Sequence, residues 1–209
     1  MKVQPNTLAW KEAYKLLIGS VLPRPIAFVS TINKVGEVNL APFSFFTGIC
    51  ADPMMVCFAP MRKAGEGDKK DTLLNIEESR EFVINIVGEK IAEQMNECAT
   101  PFPKGTDEFL ECGLTKANSE IVGPPRVEES DVQLECVLDQ IVEFGDHEGS
   151  GSLVIGKVVM VHVRDALYRD GKIDTAMLQP VGRLAGQEYT RAVANTFTLI
   201  RKTSPDGKS

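Results

Sequence analysis

Apolar positions along this chain recur mostly at every second residue, and helical spacings are few and short. Ile26, Phe28 and Val29 form a β-prone run that ends in Ser30 and Thr31. Residues 33–37 (NKVGE) supply turn chemistry, and residues 38–43 begin a second extended segment. The pattern predicts a hairpin within residues 23–46. Residues 54–59, bounded by Pro53 and Pro60, predict a short buried strand, and residues 81–87 predict another. Val132, Leu134, Cys136 and Leu138 alternate with Gln133, Glu135 and Asp139, which predicts a strand buried on one face. The turn-rich residues 145–151 join it to a long strand over 152–163. Asp170-Gly171 marks a tight turn, residues 197–200 are expected to close a last strand, and the tail from 203 to 209 to be disordered.

Helical spacing is confined to short pieces. Leu8, Trp10, Ala13, Tyr14, Leu17 and Ile18 predict a short helix or an irregular lead-in. Residues 61–70 are rich in glycine and charge and read as a loop. Asp71 is then placed to cap a helix over 72–79 with Glu77 and Glu78 on its wet face. Residues 90–99 predict a helix burying Ile91, Met95 and Cys98. Residues 100–127, dense in proline and glycine, predict a long excursion with one short helix at 107–112. Strands dominate without the strand-helix alternation of a parallel sheet, so the expected architecture is mainly β: a closed antiparallel barrel with a few short helices, in one domain over residues 1–209.

Composition narrows the chemistry. A hydrophobic fraction of 43% and a charged fraction of 25% are ordinary for a globular chain. The net charge of −6 argues against a nucleic-acid partner held through phosphates. No apolar run is long enough to span a membrane, and the first twenty residues lack the apolar core of a secretory signal, so a cytoplasmic location is expected. The five cysteines show no CxxC pair and the two histidines stand apart from them, so thiols are expected and no metal site. There is no GxGxxG after a strand, no Walker loop and no GxSxG elbow, which disfavours Rossmann, P-loop and α/β-hydrolase chemistry.

What remains is the polar load on the hairpin. Ser30, Thr31, Asn39 and Ser44 sit among apolar neighbours, and unpartnered burial of such groups is costly. They either face solvent at the ends of an ordinary strand pair or are arranged to bond a polar ligand. Lys70-Asp71-Thr72 places an ammonium and a hydroxyl where a helix begins, and helix N-termini offer free N–H groups to anions. Asp71 as a simple cap beside a solvated Lys70 accounts for the same residues. Arg24, between two prolines, either steers a phosphate or flanks the strand.

The run PRPIAFVST followed by NLAPFSFF resembles the flavin-reductase-like, FMN-binding split-barrel family, in the subgroup that includes flavoredoxins. The likeness continues through Lys70-Asp71-Thr72, residues 81–86, residues 180–184 and Tyr189. It implies a split β-barrel of Greek-key type, non-covalent FMN, an oxidoreductase role and a homodimer with flavins near the interface. Carried over residue by residue, it implies FMN-phosphate contacts from Ser30, Thr31, Lys70 and Thr72, with Asp71 beside them. Asn39, Leu40, Ala41 and Ser44 would lie along the ring and ribityl chain, with Phe45 and Phe46 as walls and Arg24 and Tyr189 at the margins. NAD(P)H is the implied co-substrate and free flavin, ferric iron, a disulfide or a redox partner protein the acceptor. An FMN-binding electron-transfer or flavin-carrier protein is the alternative. Many flavin reductases of this fold keep a histidine shortly before a strand glycine. Here His147 is nine residues from Gly156 and His162 lies beyond it, so no catalytic residue is assigned.

Overall fold

The computed structural model describes residues 1–65 and 67–200, so the expected disordered tail lies outside the described residues. The first five strands are β1 (Ala27–Ile32), β2 (Val38–Phe43), β3 (Phe46–Ala51), β4 (Met54–Phe58) and β5 (Glu81–Ile86). A small ribbon follows, β6 (Lys116–Ala117) with β7 (Arg126–Val127), and then the long hairpin β8 (Val132–Glu143) and β9 (Ser152–Val163). A second ribbon, β10 (Tyr168–Arg169) with β11 (Lys172–Ile173), and the pair β12 (Val181–Arg183) and β13 (Tyr189–Arg191) complete the strands. The helices are α1 (Trp10–Ser20), α2 (Asp71–Ser79), α3 (Ala92–Glu97), α4 (Glu108–Glu111) and α5 (Thr175–Leu178).

Seven strands form one antiparallel sheet in the order β2-β1-β5-β8-β9-β4-β3. Its two edges, β2 and β3, are consecutive in the chain and separated only by Ser44 and Phe45. A sheet whose opposite edges are joined by two residues must curl back on itself. No ladder pairs β2 with β3, so the closure is incomplete and the barrel is split. This matches the expected architecture.

Two apolar masses hold the sheet from either side. The barrel interior contains Val29, Phe43, Phe58, Phe82 and Ile84, and Leu73 and Ile76 of α2 plug it. Gly156 on β9 makes room for this filling: a Cβ there would meet the Phe82 ring at 2.3 Å. The second mass lies outside the barrel, where Phe28 and Leu40 pack against Ile91, Met95 and Phe109. Both faces of β1 are therefore buried.

The hairpin β1–β2, the loop over 61–70, the α3 burial of Met95 and Cys98, and the short helix α4 all form as expected. All five cysteines are free thiols. Asp170 and Gly171 both take positive φ in the β10–β11 turn, as a two-residue hairpin requires. Four expectations are corrected. Lys70, not Asp71, is the N-cap of α2, and the Asp71 carboxylate pairs instead with Lys63 at 3.3 Å. Strand β3, from the last residue of the FSFF run onward, was not expected from the pattern. Residues 197–200 form no strand; Phe197, Leu199 and Ile200 stand exposed. Gln133 and Glu135, read as the polar side of a half-buried strand, are buried, because residues 117–127 cover that face of β8.

Candidate functional site

Helix α2 is held on the hairpin by two matched hydrogen bonds. The Asn39 amide donates to Thr72 Oγ1 at 2.8 Å, and the Asn75 amide donates to Thr31 Oγ1 at 3.0 Å. Thr72 and Asn75 are three residues apart on α2 and share a face. Ser30, wholly buried, donates to the Pro125 carbonyl at 2.5 Å and accepts from the Asn85 amide at 3.4 Å. The hydroxyls of Ser30, Thr31 and Thr72 are thus buried and already meet protein partners. Asn39, Asp71 and Asn75 border an open cleft of about 490 Å³ between the hairpin turn, α2 and residues 102–106.

Lys70 is extended at the N-cap, and its side chain turns over the Phe43 ring, with Nζ 5.3 Å from the ring centre. Its neighbours are paired: Lys63 with Asp71, and Lys69 with both Glu77 and Glu143. Among the described residues no carboxylate lies within ion-pair distance of Lys70. Burial pushes its pKa down, and the positive charge of Lys63 adds to the effect. Beside it, helix geometry leaves the N–H groups of Asp71 and Thr72 without intrahelical acceptors. A shielded cation with free amide donors next to it is suited to an anion.

The free edge of β2 carries the rest. Leu40 sits at a non-hydrogen-bonded pair with Ser30, so its N–H points away from the ladder and donates to Glu108 at 3.0 Å. Burial raises the Glu108 pKa, partly offset by that bond. Ala41, opposite Val29, packs towards the barrel interior. At the far end of the strand, Ser44 Oγ accepts from Arg24 Nε at 3.3 Å. The remaining guanidinium donors of Arg24 reach the carbonyls of Ile18, Val21 and Leu184 at 2.8, 3.0 and 2.9 Å. Burial lowers the Arg24 pKa, with Tyr14 opposing and Arg183 reinforcing. Tyr189 donates its hydroxyl to Asn96 at 2.8 Å, and the Arg183 guanidinium stacks 4.4 Å above its ring. The candidate residues therefore fall into two groups. Asn39, Asp71 and Thr72 gather at one end of β2 and Arg24, Ser44 and Tyr189 at the other, with Leu40 and Ala41 between them and the Lys70 ammonium reaching the ring of Phe43, the strand's last residue.

A family model for the flavin reductase like domain matches residues 18–177. The chain belongs to the flavin reductase-like family. An uncharacterised protein of Halalkalibacterium halodurans, BH2278, is 44% identical over 205 residues, covering 97% of each chain. The crystal structure of nitrilotriacetate monooxygenase component B from Bacillus cereus superposes with a TM-score of 0.90 at 37% identity, covering 95% of this chain and 98% of that one. The 2-nitrobenzoate 2-nitroreductase NbaA of Pseudomonas fluorescens gives 0.87 at 31% identity, covering 98% of both. Membership makes the chain a flavin-related oxidoreductase, and it agrees with the likeness carried by the PRPIAFVST and NLAPFSFF segments.

Within this flavin reductase-like chain, two carboxylates, the half-buried Glu108 and the buried Glu135, were not singled out from the sequence. Glu108 blocks an edge N–H of β2. Glu135 accepts from the backbone N–H groups of Glu120, Ile121 and Val122 at 2.7, 2.7 and 3.0 Å, and contacts His162 Nε2 at 2.6 Å. Burial would raise the Glu135 pKa, but these bonds outweigh it and hold the carboxyl below its ordinary value. The one available signal for Glu135 was its place among apolar neighbours on a long strand. His147 lies in the exposed turn before β9. Among the described residues, no group of three metal-ligating side chains converges.

Proposed function

We propose that the protein binds FMN non-covalently along β2 and works as a reductase, taking a hydride from NAD(P)H and delivering electrons to a free flavin or another acceptor. The shielded ammonium of Lys70, unpaired among the described residues, beside the open first turn of α2 is the observation that carries this reading. That corner fits a phosphate dianion by charge and by donor count. Lys70 and the Asp71 and Thr72 amides would hold the phosphate. Asn39, Leu40, Ala41 and Ser44 would border the ribityl chain and ring. Ser30 and Thr31 act by positioning, since their hydroxyls are engaged with Pro125 and Asn75. Arg24 fixes Ser44 from behind. When bound, FMN supplies hydride acceptance and electron release, one or two at a time.

A second reading, an FMN-binding electron-transfer or carrier protein without its own turnover, draws on the histidines. His162 is engaged with Glu135 and lies on β9, which does not pair with β2, and His147 stands in the exposed turn before β9. NAD(P)H oxidation measured with free FMN and with a ferric acceptor separates the two readings. FMN binding itself is tested by titration against riboflavin, and equal affinities would exclude a phosphate site at Lys70.

The same reading includes a homodimer and a cytoplasmic location. Ile49 on β3 and Met54 on β4 are each 48% exposed at one sheet edge, where a second copy would cover them. No described helix is long and apolar enough to cross a membrane.

A further inference from the structure

A second cavity, of about 540 Å³, lies between α1, the Ser44–Phe45 joint and the turn that enters β9. Its volume is within the usual range for small-molecule sites, roughly 300–1,000 Å³. Four aromatic side chains, Trp10, Tyr14, Phe45 and Phe144, shape its walls, and Leu17 and Met61 close the gaps. No charged side chain contributes to the lining. Gly149 allows the turn to sit directly on the indole: a Cβ there would come 2.7 Å from the Trp10 ring. Phe45 is shared with the region around Arg24 and Ser44, so this cavity adjoins the Ser44 end of β2.

The walls select among occupants. Phosphates of a dinucleotide would lie against apolar surface without counter-charge, which is costly. A plain aliphatic chain would make no use of the donors that the lining residues Tyr14 and Trp10 carry, and no described protein group bonds the Tyr14 hydroxyl or the Trp10 indole N–H. A flat ring suits aromatic walls, and ring carbonyls suit those donors.

We propose that this cavity binds an uncharged, planar, carbonyl-bearing aromatic oxidant of two fused rings, a naphthoquinone-type molecule, as electron acceptor. The proposal rests on the reductase reading above. In the overall exchange the nicotinamide loses a hydride and becomes NAD(P)⁺. The quinone gains two electrons and two protons, one proton arriving with the hydride equivalent and one from solvent, and leaves as the hydroquinone.

The chain has a single tryptophan, and it stands in this wall, so its fluorescence reads the cavity directly. Menadione titrated into flavin-free protein is expected to quench Trp10 saturably. Leu17→Glu, which puts a charge on the rim, and Ala13→Phe, which fills the space beside Tyr14, are each expected to weaken binding by about tenfold or more. Quenching that stays linear, or saturable quenching unchanged in both variants, overturns the proposal. So does saturable binding of riboflavin with none of menadione, which would assign the cavity to a three-ring flavin. Leu17→Glu that dissociates a dimer, with no saturable menadione signal in the parent, would make the cavity an interface between copies and also overturns it. A parallel FMN titration keeps the two readings apart, since loss of FMN binding with intact menadione binding sinks only the reductase reading.

Discussion

Thr31 and Asn39 stand directly opposite each other across the β1–β2 ladder, and each is hydrogen-bonded to α2 with opposite polarity. Thr31 accepts from Asn75, while Asn39 donates to Thr72. The first turn of α2 is thereby registered to the hairpin, and Lys70 is registered with it. Asn75→Ala is expected to lower unfolding stability by about 1 kcal/mol, the usual worth of such a bond. FMN affinity should fall as well, although Asn75 lies outside the proposed phosphate contacts. Urea unfolding and FMN titration of the variant check both, and an unchanged affinity would mean that the docking of α2 does not position Lys70.

Lys70→Ala is expected to cost about 1.5–3 kcal/mol in FMN binding, the range for a bond to a charged group, while leaving riboflavin binding unaltered. Lys69→Ala serves as the contrast. Its ammonium is bridged to Glu77 and Glu143, so its loss should reduce stability slightly and hardly touch FMN. The depressed pKa of Lys70 adds a pH signature. Its charge is lost at a lower pH than an ordinary lysine's, so FMN affinity should begin to decline on the alkaline side before the usual lysine range. Lys70→Arg should remove that decline, since guanidinium stays charged. Identical pH profiles for the parent and the arginine variant would count against Lys70 as the phosphate ligand.

Glu135 fastens residues 120–122 to the outer face of β8. Glu135→Ala leaves three backbone donors without their acceptor and should cost about 3 kcal/mol or more. For a chain of this size that is roughly 6–12 °C in Tm. Glu135→Gln keeps one acceptor oxygen and should recover part. The carboxyl titrates below its ordinary value in the folded protein, so its stabilisation is complete above the unfolded-state pKa. It is lost as the pH falls through the lower folded value. Melting temperatures measured from pH 7 down to pH 3 should fall more steeply for the parent than for Glu135→Gln.

A dimer sealed over the β3 edge should be sensitive to charge there. Ile49→Lys is expected to shift sedimentation from dimer towards monomer and to weaken FMN retention. A parent protein that sediments as a monomer with full flavin content would remove the dimer from the reading.

The hairpin, the β8–β9 pair and the short helices were legible because alternation and turn residues coincide there, each reporting local geometry. Strand β3 was not. Five of its six residues are exposed, Gly48 interrupts the pattern, and only pairing with β4 makes it a strand. The reverse holds for residues 197–200, whose apolar side chains suggest burial but pack on nothing described. Gln133 and Glu135 show why alternation fails on two-sided sheets: a polar residue reads as wet until a distant segment folds over it. In the candidate site, the residue types at Lys70 and Asn39 pointed to ligand chemistry. That Ser30 is engaged by Pro125 and Arg24 by the Leu184 carbonyl depends on contacts between remote parts of the chain, which no local window contains.

The two-residue joint between β2 and β3 also bears on how the chain reaches its native state. Neighbours in sequence here are opposite edges in space, so no local hairpin can form at that point. Bringing the two edges together in the barrel requires the pairing of β1 with β5 and of β4 with β9, where Met55 pairs with Lys157. Such pairings carry a high loop-closure cost and place the protein among slow-folding topologies. The slit between the edges exists only when both sets of pairings are made. A bound flavin would then report that every long-range strand pairing had already been made, and cofactor uptake would follow folding rather than guide its early steps.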